Sequence, residues 1–496
     1  MSDSPAGRGR RANILFIQCD SMDGRVMGCM GHPAMRRATP HLDALAAGGV
    51  LFGNTYSNNP ICVPSRASMW SGQWTHHCEG WNNYKGLESD AATFRTRLDE
   101  AGYLTQTFGK TDYLSGSHTI RARVTPWTRA AGIPRPSYRD HPPTLREHDQ
   151  PRVHEMDWSD VDRGIEWLSG AARSPSRPFL LYLGIRAPHP GFTTSWTYWD
   201  RIDAAGVKVP PADEQDHPVM RYMRTAKNWE HGFADEMARK VRRVYFAMIA
   251  EVDAMVGAVL SAVERLGLGG STYVIFASDH GEMAMEHRQA YKMTLYDSSA
   301  RVPLIVAGPG VRRGAAVEGL VSLVDVYPTL MDMVGVEHPP GLDGHSLMPE
   351  LTGRAGRRPD WVLGEFHGTA CNTGTFMLRR GDWKYIVYVG YEPQLFDLRE
   401  DPDEVRNLAG SRPEVVAEMD ARLRQIVDPE AVDARIKEHD KRSFRQWRAE
   451  QKAAGTYEQT MARVYSGWDG LEEDDPAISP WTEKDEKVID QWLGEG

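Results

Sequence analysis

Side chains suited to holding a cation and an anion recur just behind short apolar runs of this sequence. They are Asp20, Lys110, His189 in a Pro-His-Pro turn, and the adjacent pair Asp279 and His280. Carboxylates and imidazoles bind divalent cations, and lysine binds anions as a point charge. Each residue alone has a commoner structural role, such as an aspartate that caps a helix. Their shared position behind apolar runs is what favours a site.

A reactive position is indicated at Cys62, which opens the segment Cys62-Val-Pro-Ser-Arg66. Pro64 at a first helical position predicts that Cys62 lies at a helix N-terminus, where backbone N–H groups favour an anion. The same field lowers the pKa of a thiol. On residue type alone, a cysteine at a helix start is more often a small buried hydrophobe.

Composition narrows the classes of function. The formal charge of −10 argues against nucleic acid or another long polyanion as partner, so an anionic substrate must meet a local basic cluster. The five cysteines are odd in number and widely spaced, which indicates neither a disulfide framework nor a CxxC metal site.

The sequence also predicts a location away from the membrane. The apolar stretches are expected to be shorter than the roughly 18 residues that a membrane span requires. The chain is therefore expected to be soluble. The apolar run 12–18 is too short for a signal peptide and is interpreted as a first strand, which predicts the cytoplasm.

The elements that must position these residues follow from hydrophobic patterning. Apolar runs alternate with helical patterns, which predicts an α/β fold with a large, mainly parallel or mixed sheet flanked by helices. The predicted strands are Asn13 to Gln18, Tyr103 to Phe108, Pro178 to Gly184, Thr272 to Ala277 and Pro303 to Ala307. Helices are predicted for Val241 to Leu266 and Ser322 to Val334.

The 496 residues exceed what one hydrophobic core usually serves, so two units are expected. A shift to Pro, Gly and charge from about 335 to 360 predicts a catalytic domain at 1–350 and a smaller α+β subdomain at 351–496. The second unit is predicted to hold a small antiparallel sheet, with strands Phe376 to Arg379 and Trp383 to Val389. A helix from Pro413 to Val427 and further surface helices would follow.

The motif Cys-x-Pro-Ser-Arg, followed by Ser71-Gly72, resembles the signature of the sulfatase family. Supporting segments come in the expected order: Asp279-His-Gly-Glu282, Tyr291-Lys-Met293 and Ala300-Arg-Val-Pro-Leu304. Further segments are similar to the arylsulfatase K branch of that family: Asp20 to Arg25, Gly80 to Gly86, Phe108 to Tyr113 and Glu365 to Gly368. The resemblance implies the alkaline-phosphatase-like sulfatase fold.

The resemblance also implies roles. Cys62 is oxidised to formylglycine, and the ligands of a divalent cation are Asp20, the modified Cys62, Asp279 and His280. Ca²⁺ ranks first, with Mg²⁺, Mn²⁺ and Zn²⁺ as alternatives. The catalytic residues are Cys62; Arg66, which would hydrogen-bond the formylglycine; and Lys110, His189 and Lys292, which would hold the sulfate and protonate the leaving group. Weaker candidates for substrate contact are His118, His217, His367, Trp81 and Asn83.

Three positions depart from the broader sulfatase pattern. Many members have two adjacent aspartates where this chain has Asp20-Ser21, and many have asparagine where it has His280. Many carry Gly-Lys-Trp-His, whereas Lys110 is followed by Thr111 and Asp112. These differences leave the number of metal ligands open.

The implied substrate is a small organosulfate or a sulfated saccharide end, with a 2-O-sulfated uronate or related sugar first and aryl sulfates as further substrates. A formylglycine-generating enzyme is the implied maturation partner. The alternatives are a phosphonate monoester or phosphodiester hydrolase, a non-catalytic sulfate-binding protein, and a cysteine hydrolase with unmodified Cys62 and a histidine base. The oligomeric state stays open, and a homo-oligomer is compatible with the sequence.

Overall fold

The central strand of the fold, β1 (Asn13–Cys19), is buried on both faces. Leu15 and Ile17 pack in one hydrophobic cluster, and Ile14 and Phe16 in another, as the alternation of a strand requires. A strand of this kind needs helices on both sides of its sheet. The computed structural model describes residues 11–116, 118, 120–132, 144–146, 151–173, 177–227, 229, 232–465 and 481–495.

The strands form one large mixed sheet and two smaller sheets. In chain order they are β1, β2 (Val50–Tyr56), β3 (Leu104–Gly109), β4 (Thr144–Arg146), β5 (Phe179–Gly184), β6 (Thr193–Ser195), β7 (Thr272–Ser278), β8 (Arg301–Val302), β9 (Leu304–Ala307), β10 (Ala315–Ser322), β11 (Trp361–Phe366), β12 (Thr375–Arg380), β13 (Trp383–Tyr388) and β14 (Gln394–Asp397). The large sheet has the order β10-β2-β9-β7-β1-β5-β3, with β8 also paired to β2. Its segment β7-β1-β5-β3 is parallel throughout, so the carboxyl ends of these four strands share one edge.

The described residues form sixteen α-helices, some of which cover the two faces of this sheet. They are α1 (Pro40–Ala47), α2 (Cys62–Ser71), α3 (Thr75–Cys78), α4 (Phe94–Glu100), α5 (Ile120–Trp127), α6 (Glu155–Arg173), α7 (Trp196–Trp199), α8 (Pro218–Ala226), α9 (Asp235–Arg265), α10 (Asp297–Ala300), α11 (Val326–Val334), α12 (Met348–Thr352), α13 (Pro413–Arg424), α14 (Pro429–Ala453), α15 (Tyr457–Tyr465) and α16 (Glu483–Leu493). α6 and α9 pack in the cluster on one face, and α2 and α11 in the cluster on the other.

Helix α9 corrects one expectation. By length and composition it is apolar enough to cross a membrane, so the statement that no stretch approaches a membrane span was wrong. Of its most apolar window, 78% is buried inside the protein. Its hydrophobicity therefore belongs to a core helix packed against the sheet.

The C-terminal region carries a four-stranded antiparallel sheet in the order β11-β12-β13-β14. A buried ion cluster joins this sheet to the helical turn α10 ahead of β8. Lys384 on β13 donates through Nζ to Asp297 Oδ1 at 2.5 Å and lies 2.7 Å from Glu404 Oε1. All three residues are at most 3% exposed, so the cation and the carboxylates must compensate one another.

Most of the predicted architecture is confirmed. The five predicted strands of the large sheet exist, each within one residue of its expected ends. Helix α9 begins six residues earlier than predicted, and a 3₁₀ turn replaces the start of the predicted helix at 322. Seven strands were not predicted: β2, β4, β6, β8, β10, β11 and β14. The domain boundary at 350 stays a prediction, and the expectation of surface helices at 466–480 lies outside the described residues.

Candidate active site

The predicted polar residues gather at the shared carboxyl edge of the parallel strands. Asp20 follows β1, Asp279 and His280 follow β7, and Lys110 follows β3. The turn that carries His189 comes after β5. Because these four strands are neighbours, side chains far apart in sequence meet at one place.

Three of these side chains form a compact buried cluster with Cys62. The potential ligand atoms of Asp20, Cys62, Asp279 and His280 all lie within 4.8 Å of one another. His280 Nε2 lies 3.4 Å from Cys62 Sγ and 3.6 Å from Asp20 Oδ1. Two carboxylates, an imidazole and the Cys62 position match the oxygen and nitrogen donors that divalent cations take, so the residues present fit a metal ion.

Cationic side chains surround the cluster and offset its charge. Lys110 Nζ donates to Asp20 Oδ2, and Arg66 Nε donates to Asp279 Oδ2 at 2.9 Å. Burial raises the pKa of Asp20, but Lys110 and His189 outweigh it and hold that pKa well below its ordinary value. The site therefore keeps Asp20 ionised while it is out of contact with water.

Cys62 is the first residue of α2 and is 2% exposed. Burial and Asp20 raise the pKa of its thiol, but Lys110 and Lys292 outweigh them and hold that pKa well below its ordinary value. The position is therefore built to carry negative charge, which suits a nucleophile. Pro64 is the third residue of the helix, not the first as predicted, and still lies in its first turn.

Arg66 is buried and links several residues of the site through hydrogen bonds. Besides Asp279, its Nη1 donates to Tyr182 Oη at 2.9 Å and to the Lys110 carbonyl at 3.1 Å. Its Nη2 has no hydrogen-bond partner among the described residues and lies 3.7 Å from Asp20 Oδ2. One of its hydrogen bonds thus goes to a carboxylate and the others to neutral acceptors, including Gln18 Oε1 at 3.3 Å. Its predicted bond to the Cys62 side chain stays a prediction.

His189 and Lys292 complete the cationic wall. His189 Nδ1 bonds the carbonyl of Pro190, and burial and Lys292 lower the pKa of its ring. Lys292 is 5% exposed and follows a loop held by Glu282, whose Oε1 accepts from Tyr291 N. A cavity of about 460 Å³ opens beside Lys110 and His189.

Comparison with known proteins adds to this geometry. The model of the family described as Sulfatase matches residues 12–336 of the chain. The chain belongs to the sulfatase family. A second family model, described as N-sulphoglucosamine sulphohydrolase, C-terminal, matches residues 285–429.

Relatives of this sulfatase align over nearly its whole length. Arylsulfatase K of Bos taurus is 39% identical, with 97% of this chain and 92% of the relative covered. Arylsulfatase K of Homo sapiens is also 39% identical, with 98% and 95% covered. The expectation of a sulfuric ester hydrolase is thereby confirmed.

Solved structures agree on the fold. A 2-O GAG sulfatase superposes with a TM-score of 0.67 at 25% identity, covering 84% of this chain and 92% of its own. The phosphonate monoester hydrolase of Agrobacterium radiobacter gives 0.68 at 23% identity, covering 86% and 96%. The predicted sulfatase fold, with its large flanked sheet and smaller C-terminal sheet, is confirmed.

The five weaker candidates of the sulfatase divide into two sets. His118 lies near the site: its Nε2 is 3.2 Å from Asp112 Oδ2, which in turn is 3.4 Å from Lys110 Nζ. Asn83 also lies there, since its Oδ1 accepts from Val63 N at 3.1 Å and so caps the helix that begins at Cys62. Asn83 therefore stabilises the N-terminus of the helix that begins with Cys62.

The other three candidates contact different parts of the structure. His217 caps α8 by accepting from Val219 N and bonds the Glu392 carbonyl. His367 is fully buried against Glu365, and Trp81 packs in the hydrophobic cluster of the C-terminal sheet. Within the described residues, none of the three hydrogen-bonds Asp20, Cys62, Asp279 or His280, and their role in substrate contact stays a prediction.

Several residues that order the site were not predicted. Ser65 Oγ donates to the Asp279 carbonyl at 2.5 Å, and Tyr182 anchors Arg66 from β5. Ser65 carried a signal, since it belongs to the Cys-x-Pro-Ser-Arg motif. Asp112 also carried one, since it lies in the segment Phe108 to Tyr113. His154 and Arg186, which line the cavity with it, carried none that distinguishes them from surface residues.

Proposed function

We propose that this sulfatase hydrolyses its ester through a formylglycine derived from Cys62, together with a divalent cation. The observation that carries the proposal is the buried cluster of Asp20, Cys62, Asp279 and His280, whose donor atoms lie within 4.8 Å of one another. Ca²⁺ ranks first because two carboxylates dominate the donor set, and Mg²⁺ or Mn²⁺ would fit the same atoms.

The formylglycine and the divalent cation would have different roles in the reaction. A hydrated formylglycine supplies the attacking hydroxyl, and a bound divalent cation supplies positive charge that polarises the ester and favours an ionised nucleophile. Asp20, Asp279 and His280 would hold the ion, while Arg66 fixes the orientation of Asp279 through its 2.9 Å bond.

The remaining residues would act on the sulfate and the leaving group. Lys110 and Lys292 bring two ammonium groups to the sulfuryl oxygens, where charge builds up during transfer. His189 lies at the cavity beside them and would donate a proton to the departing oxygen. Its Nδ1 donates to the Pro190 carbonyl, so Nε2 of the protonated ring would be the atom that donates.

The proposed substrate is a 2-O-sulfated uronate or a related sulfated sugar, with aryl sulfates as simpler substrates. Relatives named arylsulfatase K, at 39 to 40% identity, support an aryl sulfate as substrate, and a structural neighbour named a 2-O GAG sulfatase supports a sulfated sugar. A phosphonate monoester or phosphodiester hydrolase is the alternative, since a hydrolase of that class shares the fold. Cytoplasmic localisation stays a prediction, which cell fractionation would test.

The test is peptide mass spectrometry across Cys62 after co-expression with a formylglycine-generating enzyme, alongside hydrolysis of an aryl sulfate and an aryl phosphonate. We expect the mass change for conversion of CH₂SH to CHO, faster sulfate than phosphonate hydrolysis, and no turnover in Cys62→Ala. Cys78→Ala, at a half-buried cysteine on α3, is the matched control and should retain activity. An unmodified thiol in fully active enzyme would refute the nucleophile assignment.

A further inference from the structure

The cavity beside Lys110 and His189 has polar walls that the proposed sulfate chemistry does not use. Its volume of about 460 Å³ lies in the range of small-molecule sites. Asp112, His154 and Arg186 line it together with the two catalytic residues. The part of a substrate that carries the sulfate ester would have to occupy this space.

His154 is held there by a buried glutamate on the core helix α9. Glu251 is 0% exposed and accepts four hydrogen bonds, all from the segment 153–158. Its Oε2 accepts from His154 Nδ1 at 2.8 Å, and its Oε1 accepts from His154 N at 3.0 Å. Burying a carboxylate is costly unless it is fully hydrogen-bonded. These four bonds therefore hold the segment in place and fix the orientation of the His154 ring, which a residue that contacts a ligand requires.

The bond to Glu251 also determines what His154 offers to the cavity. A carboxylate is only an acceptor, so Nδ1 carries the hydrogen. Nε2 of the neutral ring is then an acceptor, and it has no hydrogen-bond partner in the part of the chain that the structure describes. A hydroxyl group of a ligand is its natural complement.

Arg186 offers the opposite kind of group. Its Nη1 is anchored by Asp157 Oδ1 at 3.1 Å and Asp160 Oδ2 at 2.8 Å. Nε and Nη2 make no hydrogen bond to any described residue, and the side chain is 38% exposed. These two donors form the planar fork that binds a carboxylate through two parallel hydrogen bonds.

The two aspartates beside Arg186 do not repel such an anion strongly. Asp157 is 2% exposed and its oxygens accept from the backbone N–H groups of Arg186 and Ala187, both at 2.9 Å. Asp160 also binds Arg163 Nη1 at 3.0 Å, so a second guanidinium offsets its charge. A third carboxylate in the cavity, that of Asp112, lies 3.4 Å from Lys110 Nζ, which offsets its charge.

We propose that this cavity binds a sugar ring that carries a carboxylate, with Arg186 binding the carboxylate and His154 accepting a hydrogen bond from a ring hydroxyl. The inference rests on the proposed sulfatase function of the adjoining site. It assigns the selection of an acidic over a neutral sulfated sugar to Arg186, and it gives Glu251 the role of a positioning residue that acts through His154.

The test compares a 2-O-sulfated uronic acid glycoside with the same compound reduced to the alcohol at its carboxyl group. The parent enzyme should prefer the acid. In Arg186→Gln this preference in kcat/KM should fall by about 10- to 100-fold, mainly through KM, because a hydrogen-bonded charge pair is lost. In His154→Ala, kcat/KM should fall by about 5- to 10-fold on both compounds with the preference kept, since both share the ring hydroxyls.

Arg163→Gln is the matched control, since Arg163 pairs with the same Asp160 without lining the cavity. It removes one charge that offsets Asp160 but no proposed contact to the ligand, so it should lower the preference for the acid far less than Arg186→Gln does. If Arg186→Gln does not fold, as judged by its thermal unfolding, Arg186→Lys decides, because it keeps the charge but loses the fork and should still lose most of the preference.

Different failures have different meanings. A parent enzyme that releases sulfate from neither sugar nor from 4-nitrophenyl sulfate would refute the proposed function. A parent that hydrolyses 4-nitrophenyl sulfate but does not prefer the acid would leave that function intact and refute this inference. Equal losses on acid and alcohol in the Arg186 variants would also refute it.

Discussion

Asp253 provides a stability test that is independent of catalysis. It lies on α9, and its Oδ1 accepts from the backbone N–H groups of His41 and Leu42, at 3.0 and 2.8 Å, in the first turn of α1. Its Oδ2 is buried with no hydrogen-bond partner among the described residues. Burial raises the pKa of Asp253 from 3.8 to about 7.

Proton binding determines whether this pKa shift raises or lowers the stability of the protein as pH rises. Between about pH 4 and 7 the folded chain keeps a proton on Asp253 that the unfolded chain has lost, so the free energy of unfolding falls as pH rises through this window. Each pKa unit corresponds to about 1.4 kcal/mol, so the full effect is at most about 4 kcal/mol. Asparagine resembles the protonated acid and keeps the Oδ1 acceptor. The free energy of unfolding of Asp253→Asn, taken relative to that of the parent, should therefore rise by roughly 3 kcal/mol between pH 5 and 7 and should not rise further above pH 7.

Urea unfolding at half-unit pH steps would measure this difference. Asp90→Asn, at an exposed position, is the control and should differ from the parent by the same amount at every pH. A difference between Asp253→Asn and the parent that is constant with pH, or that shrinks as pH rises, would refute the argument that burial dominates at Asp253.

Three further predictions concern the active site. Asn83→Ala removes the acceptor for Val63 N and should destabilise the protein by about 1 kcal/mol, with a loss of kcat on an aryl sulfate; unchanged thermal unfolding and kcat would contradict the capping role. Arg66→Lys loses the fork that joins Asp279 to Tyr182 and should weaken cation binding at least tenfold by isothermal titration, whereas an unchanged affinity would show that Asp279 needs no clamp. Treatment with EDTA should abolish activity and lower the unfolding temperature, and added Ca²⁺ should restore both; full activity after exhaustive chelation would exclude a required metal ion.

The sequence predicted those parts of the fold and site in which local pattern and final environment agree. Four of the five predicted strands of the large sheet are buried apolar runs with no competing interpretation, and the fifth, β3, is a partly exposed edge strand. The residues behind the parallel strands β1, β3, β5 and β7 lie at one edge because parallel neighbours end together. Strand β2 escaped prediction because Gly53 and Asn54 interrupt its apolar pattern. Its burial is imposed by pairing with β10 and β9.

Roles that depend on long-range contacts could not be predicted. Trp81 has the residue type of a sugar platform, yet it fills the core of the C-terminal sheet, which no local pattern reveals. The pairing of His154 with Glu251 spans 97 positions, and Glu251 looks in the sequence like a polar residue on an amphipathic helix. Asn83 likewise reaches back 20 positions to cap α2.

The buried ions at Asp297, Lys384 and Glu404 limit how the chain can be shortened or recombined. A fragment that ends near residue 350 would leave Asp297 without Lys384, and breaking a buried pair in this way costs about 3 to 5 kcal/mol. A chimaera with the C-terminal segment of a relative would need a lysine at the position of Lys384 and a carboxylate at that of Glu404. The two regions can therefore be exchanged only as a matched set, even though their sheets are separate.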